Sequence, residues 1–426
     1  MFSDDRLTRR ALLSRMLLGA SALGLSPGSA FAQPLDTTRT LPLIGLLVPL
    51  SGELGAVGEQ LVDAATLAAK DARVDLEVVD SASDPGKASA AVEKLASDPR
   101  LVGIIGPLGA RTSRAAAARA SHAAVPLLML ASVERTEFVS NWVFRLRLSP
   151  GELGAMIARE AATKLEIDTA AVMFPGNDYG DQAALAFVQT FTEQKKKIAA
   201  AVRYNPELED FRKPLEELVG RKLWVGRGVK VDGRRGDRDG YVSLKGAPAR
   251  GKGVDFQALF IPDFHTRVSK ILPLLSTAGM QSGAGGKGVA VQLLGMPGWH
   301  GEQMRLTRAH AAGALYFDPY GGENTGGRAE EFALLFESNT GRRPVDLEAE
   351  VFDAISLLAR TASKHWSLTG KPDIRAVRTK IVADLPGPKR PWRGVCGDWA
   401  FDARGTPTRG LSLYRFDVDG AVMLVD

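Results

Sequence analysis

Residues 44–71 read IGLLVPLSGELGAVGEQLVDAATLAAKD and combine an apolar run, a glycine-rich turn and an alanine-rich segment. The run at 44–50 is continuous, as in a parallel strand that is buried on both faces. Apolar residues then recur at helical spacing, at Leu61, Ala64, Ala65 and Ala68. The stretch therefore predicts a strand, a turn supplied by Ser51, Gly52, Gly55 and Gly58, and a helix. In open α/β sheets, ligands bind in the loops that follow such strands, so Ser51 is a candidate ligand contact.

The alternation of strand and helix patterns continues along the chain. In the first half, strands are predicted at 76–80, 101–106 and 125–130, and a helix follows Asp84-Pro85. A second set has strands at 170–174, 199–204, 256–261 and 291–294 and helices at 182–192, 210–219 and 267–278. A strand at 313–317 and helices at 327–338 and 347–366 are then expected to return to the first set. This order predicts the α/β class, and the chain length predicts two lobes.

These features, together with PGNDYG at 175–180 and the element Phe352-Asp353-Ala354, resemble type I periplasmic binding proteins. That group contains the leucine/isoleucine/valine-binding proteins of bacterial ABC importers. The resemblance covers about residues 41–426 with one interruption. It implies two lobes, each a doubly wound parallel sheet with helices on both faces, and a hinge between them. The implied boundaries are 40–150 plus 311–395 for lobe 1 and 151–310 plus 396–426 for lobe 2.

The first 32 residues have the pattern of an export signal. Thr8-Arg9-Arg10 resembles a twin-arginine motif, residues 16–25 are mildly apolar, and Ala30-Phe31-Ala32 is an A-x-A cleavage site. We therefore expect twin-arginine export, cleavage after Ala32 and a periplasmic location. The apolar run is far shorter than the ~20 residues of a spanning helix, so no membrane span is expected after cleavage. The single cysteine, Cys396, is far from the cleavage site, so no lipid anchor is expected there.

The positive net charge of the chain, +5, comes from one segment. Residues 221–253 form a glycine-rich basic insertion in lobe 2, in which ten Lys or Arg and three Asp give a net charge of +7. A solvated loop insertion is one interpretation. The other is a basic arm that contacts an anionic partner, such as lipid headgroups or cell-wall polymer. Nucleic acid is not an expected partner of an exported chain.

The sequence shows no catalytic or metal-binding signature. It has no G-x-S-x-G or H-E-x-x-H motif, and GAGGKG at 283–288 lacks the Ser or Thr that a phosphate-binding loop needs after its lysine. The five histidines are scattered without the spacing of metal ligands. We therefore expect a protein that is not an enzyme and that uses no metal or cofactor.

The resemblance suggests ligand contacts in two loops of the first lobe. In relatives, the loop that matches residues 106–113 offers a hydroxyl and backbone amides to the carboxylate of the ligand. Ala110 stands at the hydroxyl position here, and Thr112, or Arg111 as a cationic donor, could replace it. Thr112 could equally be a helix cap. In the next loop Ser132 matches a ligand contact, whereas Glu134 would attract a cation or pair with Arg111.

The second lobe supplies four further candidates. Tyr179 matches a tyrosine that lines the cleft in relatives. Asp263 follows a strand at the position where relatives place an acid against the ammonium of the ligand. His265 and Trp299 also follow strands at the level of the cleft. Trp299 could be an apolar wall of the site or interlobe packing.

Two functions of different class follow from these features. The first is a periplasmic solute-binding protein that delivers an amino acid or a similar small polar solute to an ABC permease. The alternative is a regulatory or scaffold protein, since FIPD at 260–263 and VQLLGMPGW at 291–299 also resemble penicillin-binding-protein activators. Those activators contact peptidoglycan synthases and are usually lipoproteins. This chain has no cysteine at its expected signal junction and differs from them in that respect. The two functions differ in partner, a small solute or a protein.

Overall fold

The computed structural model describes residues 40–133, 140–220, 253–281, 288–299, 301–320, 327–367, 373–387, 391–408, 411–417 and 421–425. The expected signal at 1–32, the candidate Glu134 and the insertion at 221–252 lie outside the described residues. Within the described ranges, no helix is both long and apolar enough to cross a membrane.

The first lobe is built on five parallel strands with helices on both faces. The strands are β1 (Leu43–Val48), β2 (Asp75–Asp80), β3 (Leu101–Ile105), β4 (Leu127–Met129) and β5 (Val143–Arg145), and the helices between them are α1 (Gly55–Ala72), α2 (Pro85–Ala96) and α3 (Ala110–Ala123). The strand order is β2-β1-β3-β4-β5. Because all five strands are parallel, the loops that follow β1, β3 and β4 leave the sheet at one edge.

The second lobe begins with α4 and continues the alternation of helices and strands. Its elements are α4 (Pro150–Thr163), β6 (Thr169–Pro175), α5 (Asp178–Glu193), β7 (Lys197–Tyr204), α6 (Arg212–Leu218), β8 (Ala258–Phe260), α7 (His265–Ile271), a 3₁₀ helix (Leu272–Ala278), β9 (Met280–Gln281), β10 (Val289–Ala290), β11 (Gln292–Gly295), α8 (Glu302–Leu306), α9 (Arg308–Ala311) and β12 (Leu315–Asp318). Ser149 caps α4 by accepting a hydrogen bond from the backbone amide of Glu152, whose carboxylate returns the contact.

The C-terminal quarter of the chain serves both lobes. It forms α10 (Gly327–Thr340), α11 (Asp346–Ser363), α12 (Ile374–Asp384), β13 (Trp392–Gly394), β14 (Gly397–Trp399), β15 (Ser412–Phe416) and β16 (Val422–Leu424). Helices α10 to α12 pack on the first lobe, whereas β15 and β16 extend the second sheet, whose order is β16-β15-β12-β11-β8-β6-β7. Strand β15 pairs antiparallel with both β12 and β16.

Two lobe boundaries differ from the sequence-based expectation. Strand β12 pairs in parallel with β11, so it belongs to the second lobe, and its expected return to the first lobe at 311 is wrong. Likewise Cys396, Trp399 and Phe401 are buried in the first-lobe core, beyond the expected boundary at 396. Sheet membership depends on pairing between strands that are distant in sequence, and an apolar run does not encode its partner. The chain thus passes between the lobes after β5, after β12 and before β15.

Asp353, in the predicted Phe352-Asp353-Ala354 element, has a structural role. It is fully buried in α11, and its carboxylate accepts hydrogen bonds from the backbone amides of Val395 (2.8 Å) and Cys396 (2.9 Å). The turn between β13 and β14 is therefore held against α11. Cys396 is buried there as a free thiol.

Gly58 fixes the distance between α1 and the end of β1. The sequence places Gly58 in the turn, but α1 begins at Gly55 and includes it. A Cβ atom at Gly58 would lie 1.7 Å from the carbonyl oxygen of Pro49, so only glycine allows this approach. The loop after β1 is consequently held tightly between strand and helix.

We expect Gly58→Ala to lower the free energy of unfolding by about 3 kcal/mol or more, since overpacking against backbone forces the helix to shift. Gly55→Ala is the matched control on the same helix, because its Cβ would meet the carbonyl oxygen of Leu50 at an ordinary 3.4 Å. Urea unfolding monitored by circular dichroism measures both variants. Equal stabilities would contradict the proposed close approach.

Candidate functional site

A cavity of about 260 Å³ lies between the lobes and is called the interlobe cavity below. Its lining comes from the loops after β3 and β4, the start of α1, the second-lobe strand ends and all three passages of the chain between the lobes. The lining residues are Leu54, Val57, Leu108, Gly109, Ala110, Leu130, Ala131, Ser132, Arg147, Leu148, Leu153, Tyr179, Phe264, Pro297, Pro319, Glu350 and Leu411. Its volume is just below the roughly 300–1,000 Å³ of cavities for drug-sized ligands, so it is suited to a small solute.

Two larger cavities are lined by the first lobe and the segment at 391–405. They measure about 440 and 640 Å³. The interlobe cavity is preferred as the candidate site because side chains from both lobes meet there, at the carboxyl edges of the two sheets.

Ser132 and Tyr179 are brought together by the fold, as the sequence predicts. Ser132 follows β4 and Tyr179 is in the first turn of α5, and both line the interlobe cavity. The ring of Tyr179 stacks on Phe264 with centroids 5.0 Å apart. Burial raises the pKa of Tyr179, so its hydroxyl remains a neutral donor. Phe264, which the sequence did not single out, is 39 % exposed and lines the same cavity.

The loop before α3 presents backbone rather than hydroxyl groups. Ala110, the first residue of α3, lines the cavity next to Gly109. The hydroxyl of Thr112 is buried and donates to the carbonyl oxygens of Leu108 and, at 2.9 Å, Gly109. Thr112 therefore stabilises the loop through two of its backbone carbonyl groups. Arg111 is exposed at the start of the helix.

Ser51 connects two loops of the first lobe. Its hydroxyl donates to Asp80 at 2.6 Å, and the same carboxylate accepts hydrogen bonds from the backbone amides of Leu50 (2.7 Å) and Ala82 (2.6 Å). Burial acts to raise the pKa of Asp80, but these hydrogen bonds lower it below its ordinary value. Ser51 thus fixes the loop that leads to the cavity-lining Leu54.

Asp263 is engaged by other protein groups. It is fully buried, and Arg267 donates to its two oxygens, each at 2.6 Å. The hydroxyl of Tyr204 and, at 2.7 Å, the amide of Phe264 also donate to it. This acid, expected to receive a ligand ammonium, instead anchors the loop that carries Phe264.

His265 and Trp299 also support the second lobe. The His265 ring packs over Gly301, and burial lowers its pKa more than the hydrogen bond with Gln303 raises it. Trp299 is fully buried in the second-lobe core, where its indole N–H donates to the carbonyl oxygen of Ile261 at 3.2 Å. The structure therefore places Trp299 behind the strand ends rather than between the lobes.

The charged groups at the cavity were not found from the sequence. Arg147, just after β5, lies 2.9 Å from Asp346 and 3.4 Å from Glu350, both of which are in the first two turns of α11. Burial lowers the pKa of Arg147, but Glu350 and Asp346 together raise it above its ordinary value, so the guanidinium stays charged. The signal was present as two acids at i, i+4 around the start of a predicted helix, although nothing local identifies Arg147 as their partner.

Asp318 ends β12 beside this ion cluster. It is fully buried, and its Oδ1 accepts a hydrogen bond from the amide of Tyr320 at 2.9 Å, while its Oδ2 has no hydrogen-bond partner among the described residues. Burial raises its pKa well above the ordinary value, and the nearby charge of Asp346 adds to the effect. The neutral carboxylic acid is therefore the favoured form.

We expect Asp318→Asn to change how stability depends on pH. A carboxyl whose pKa is raised by folding contributes stability below its unfolded pKa of about 3.9, and this contribution is lost as the pH rises toward the folded pKa. The free energy of unfolding of the wild type, relative to Asp318→Asn, should therefore fall as the pH rises above about 4. Urea unfolding across this range measures the difference.

Asp80→Asn is the control with the opposite sign. The lowered pKa of Asp80 means that its contribution is present above the unfolded pKa and is lost as the pH falls below about 4. The free energy of unfolding of the wild type, relative to that of Asp80→Asn, should therefore increase as the pH rises through the acidic range. If the two variants showed the same slope, the assignment of Asp318 as a buried neutral acid would be incorrect.

Comparison with known proteins agrees with this geometry. Residues 43–222 match the model of a periplasmic binding protein family, and no curated protein matches the chain significantly. The solved leucine-binding protein LivK of Thermotoga maritima is 18 % identical, with a TM-score of 0.64, and the match covers 91 % of this chain and 98 % of that one. LivJ of Streptococcus pneumoniae, solved with isoleucine, is 19 % identical, with a TM-score of 0.64 and coverage of 91 % and 99 %.

A third solved structure has a ligand of different chemistry. It is a solute-binding protein of an ABC transporter from R. palustris in complex with benzoate, 16 % identical, with a TM-score of 0.65 and coverage of 90 % and 95 %. Identities at this level establish the fold alone. The predicted resemblance to type I periplasmic binding proteins and the predicted two-lobe α/β fold are confirmed.

Proposed function

We propose that this chain, with its type I periplasmic-binding-protein fold, is the solute-binding component of an ABC importer and holds an amino acid or similar small solute in the interlobe cavity. The observation that carries the proposal is the composition of the cavity, to which both lobes and all three chain passages contribute. A solute bound there contacts both lobes at once. Closure about the passages would then bury the solute, as in other hinged binding proteins.

The chemistry of the lining supports a solute with an apolar body and a polar end. Leucine side chains from both lobes, with Phe264 and Tyr179, form about half of the wall. Ser132 and the amides at the start of α3, a helix of 14 residues, are suited to a carboxylate. We propose Ser132 and Tyr179 as direct contacts. Ser51, Thr112, Asp263, His265 and Trp299 act indirectly, by holding the loops that form the site.

The similarity to solute-binding proteins favours import over the alternative of a scaffold for peptidoglycan synthases. The comparison proteins are binding proteins, and the ABC permease is the partner that this function requires. Arg111 and Glu134 stay predicted contacts, the latter outside the described residues. The basic insertion, likewise outside them, stays a candidate for contact with an anionic surface.

We expect at least one small amino acid to raise the melting temperature of the chain from Gln33 to Asp426 in a concentration-dependent manner, because only the native state binds it. For that ligand, Ser132→Ala and Tyr179→Phe should each weaken binding by about 1–3 kcal/mol, the cost of losing a buried hydrogen-bond partner. Isothermal titration calorimetry measures the affinities. Ser121→Ala is the control, since its hydroxyl bonds to Ser140 and the carbonyl oxygen of Ala117 within the first lobe.

Unchanged affinity in both cavity variants would show that the ligand lies elsewhere. If no compound in a library of amino acids, peptides, organic acids and cell-wall fragments raised the melting temperature, that result would contradict solute binding and favour the scaffold alternative.

The proposed periplasmic location depends on the signal-like first 32 residues. We expect Arg9→Lys combined with Arg10→Lys to abolish export, because twin-arginine transport recognises both guanidinium groups. Fractionation of cells that express the full chain, followed by immunoblotting, measures the periplasmic share. The matched control is Arg6→Lys combined with Arg15→Lys, which changes two arginines of the same segment outside the motif. Export of the first variant at the wild-type level would exclude the twin-arginine route.

A further inference from the structure

The largest of the three cavities is on the first lobe and is called the hairpin cavity below. It measures about 640 Å³, within the roughly 300–1,000 Å³ of sites for small molecules. Its wall comes from α10, the last turns of α11, the end of α12 and the β13–β14 hairpin. Helix α11 reaches both this cavity, at Arg360, and the interlobe cavity, at Glu350. Ten residues of helix separate these two positions by about 15 Å, so the cavities are distinct.

Hydrogen bonds hold the β13–β14 hairpin against two helices of the first lobe. Asp353 of α11 accepts from two backbone amides of the hairpin turn, and Nη1 of Arg328 in α10 donates to the carbonyl oxygen of Arg393 at 2.8 Å. Strand pairing places Trp392 opposite Trp399, and both side chains line the cavity. The wall is therefore formed before a ligand arrives, which lowers the cost of ordering it on binding.

Positive charge exceeds negative charge in the wall of the hairpin cavity. The four cations are Arg328, Arg360, Lys364 and Arg393, and the two acids are Asp384 and Asp398. Lys364 lies 3.5 Å from Asp384, and Arg393 lies 3.9 Å from Asp398. Arg328 and Arg360 have no carboxylate within ion-pair distance in the part of the chain that the structure describes. The lining side chains thus carry a net charge of +2, and two guanidinium groups are available to an anion.

Arg360 is held beside an aromatic ring. Its guanidinium carbon lies 5.2 Å from the ring centroid of Trp392, a cation–π contact that leaves guanidinium N–H groups able to donate. The indole nitrogen of Trp392 is buried and has no hydrogen-bond partner among the described residues, which is uncommon. Leu357, Leu385 and Pro391 add apolar surface to the same wall. The wall therefore combines N–H donors with apolar surface, the complement of an anion on an apolar body.

We propose that the hairpin cavity is a second ligand site, which binds a small organic anion with a ring. The carboxylate or phosphate of the ligand meets the guanidinium groups of Arg328 and Arg360, which form charge-assisted hydrogen bonds with both kinds of anion. The ring lies against Trp392 and the apolar side chains of the wall. This site goes beyond the proposed solute-binding function and does not depend on it, because the interlobe cavity contributes nothing to it.

Nuclear magnetic resonance of the indole N–H groups tests the inference, because the six tryptophans of the chain give few signals. The signal that is lost in Trp392→Phe identifies Trp392. Phenyl phosphate and 3-phenylpropanoate are the probes. Inorganic phosphate, which lacks the ring, and 3-phenylpropan-1-ol, which lacks the charge, are their controls. We expect at least one probe to shift the Trp392 signal in a saturable manner, with a Kd about tenfold or more below that of its control.

Variants of the two arginines locate the anion. Arg360→Gln and Arg328→Gln each remove one guanidinium group and should each raise the Kd of the probe about tenfold, the cost of one charge-assisted hydrogen bond. Arg159→Gln is the matched control, because Arg159 is an exposed arginine of α4 in the second lobe. Ser132→Ala is a second control, since Ser132 lines the interlobe cavity. Both controls should leave the Kd unchanged, and thermal unfolding verifies that each variant is folded.

Three results would each overturn the inference. The first is that neither probe shifts the Trp392 signal at millimolar concentration. The second is that the wild type binds each probe no more tightly than its control. The third is that Arg360→Gln and Arg328→Gln bind the probe as tightly as the wild type does. Since Ser132→Ala and Tyr179→Phe test the interlobe cavity separately, failure of either site leaves the other standing.

Discussion

The guanidinium of Arg147 connects the passage of chain after β5 to helix α11, and the interlobe site depends on that connection. Arg147 is where the chain leaves the first sheet, and Asp346 and Glu350 are on a helix that returns to that lobe some two hundred residues later. The contact therefore fixes one side of the hinge relative to the first-lobe core. It also brings two carboxylates to one cation beside the cavity. Since Asp346 adds to the effect of burial on Asp318, the protonation of the β12 end depends on the same cluster.

The fold could be predicted from the sequence to the extent that its elements are local. Apolar runs identified β1, β3 and β6, and capping residues such as Asp84 marked the helix starts, because burial and end capping are decided within a few residues. Strand β12 was also recognised, yet it was assigned to the wrong lobe. Its partners β11 and β15 are 20 and about 100 residues away, and no property of LYFD itself selects them. Gly58 shows the same limit. Glycine suits both a flexible turn and a close approach to Pro49, and the sequence alone does not distinguish the two.

The candidate site divides in a similar way. The rule that ligands meet the carboxyl ends of parallel strands identifies the loops of Ser132 and Tyr179, and both side chains do line the cavity. The rule does not give the direction of a side chain, and so Thr112 and Ser51 lie in predicted loops while their hydroxyls bond to protein groups. The sequence places Asp263 and Arg267 at i, i+4, a spacing at which an acid and a base can pair. This pairing competes with a role of Asp263 in ligand binding. Glu350 could not emerge from a rule about strand ends, because it lies within a helix.

The position of the ion cluster has a consequence for closure. The lobes can close when the contacts made in the closed state outweigh the cost of removing cavity groups from water. For the apolar lining, that cost is small and any solute of suitable size would favour closure. For the Arg147, Asp346 and Glu350 cluster the cost is larger, because charged groups lose hydration when the cavity closes. The contacts that a solute makes beside Arg147 and Glu350 must therefore offset this cost, whereas the apolar wall mainly sets the size of the solute that is accepted.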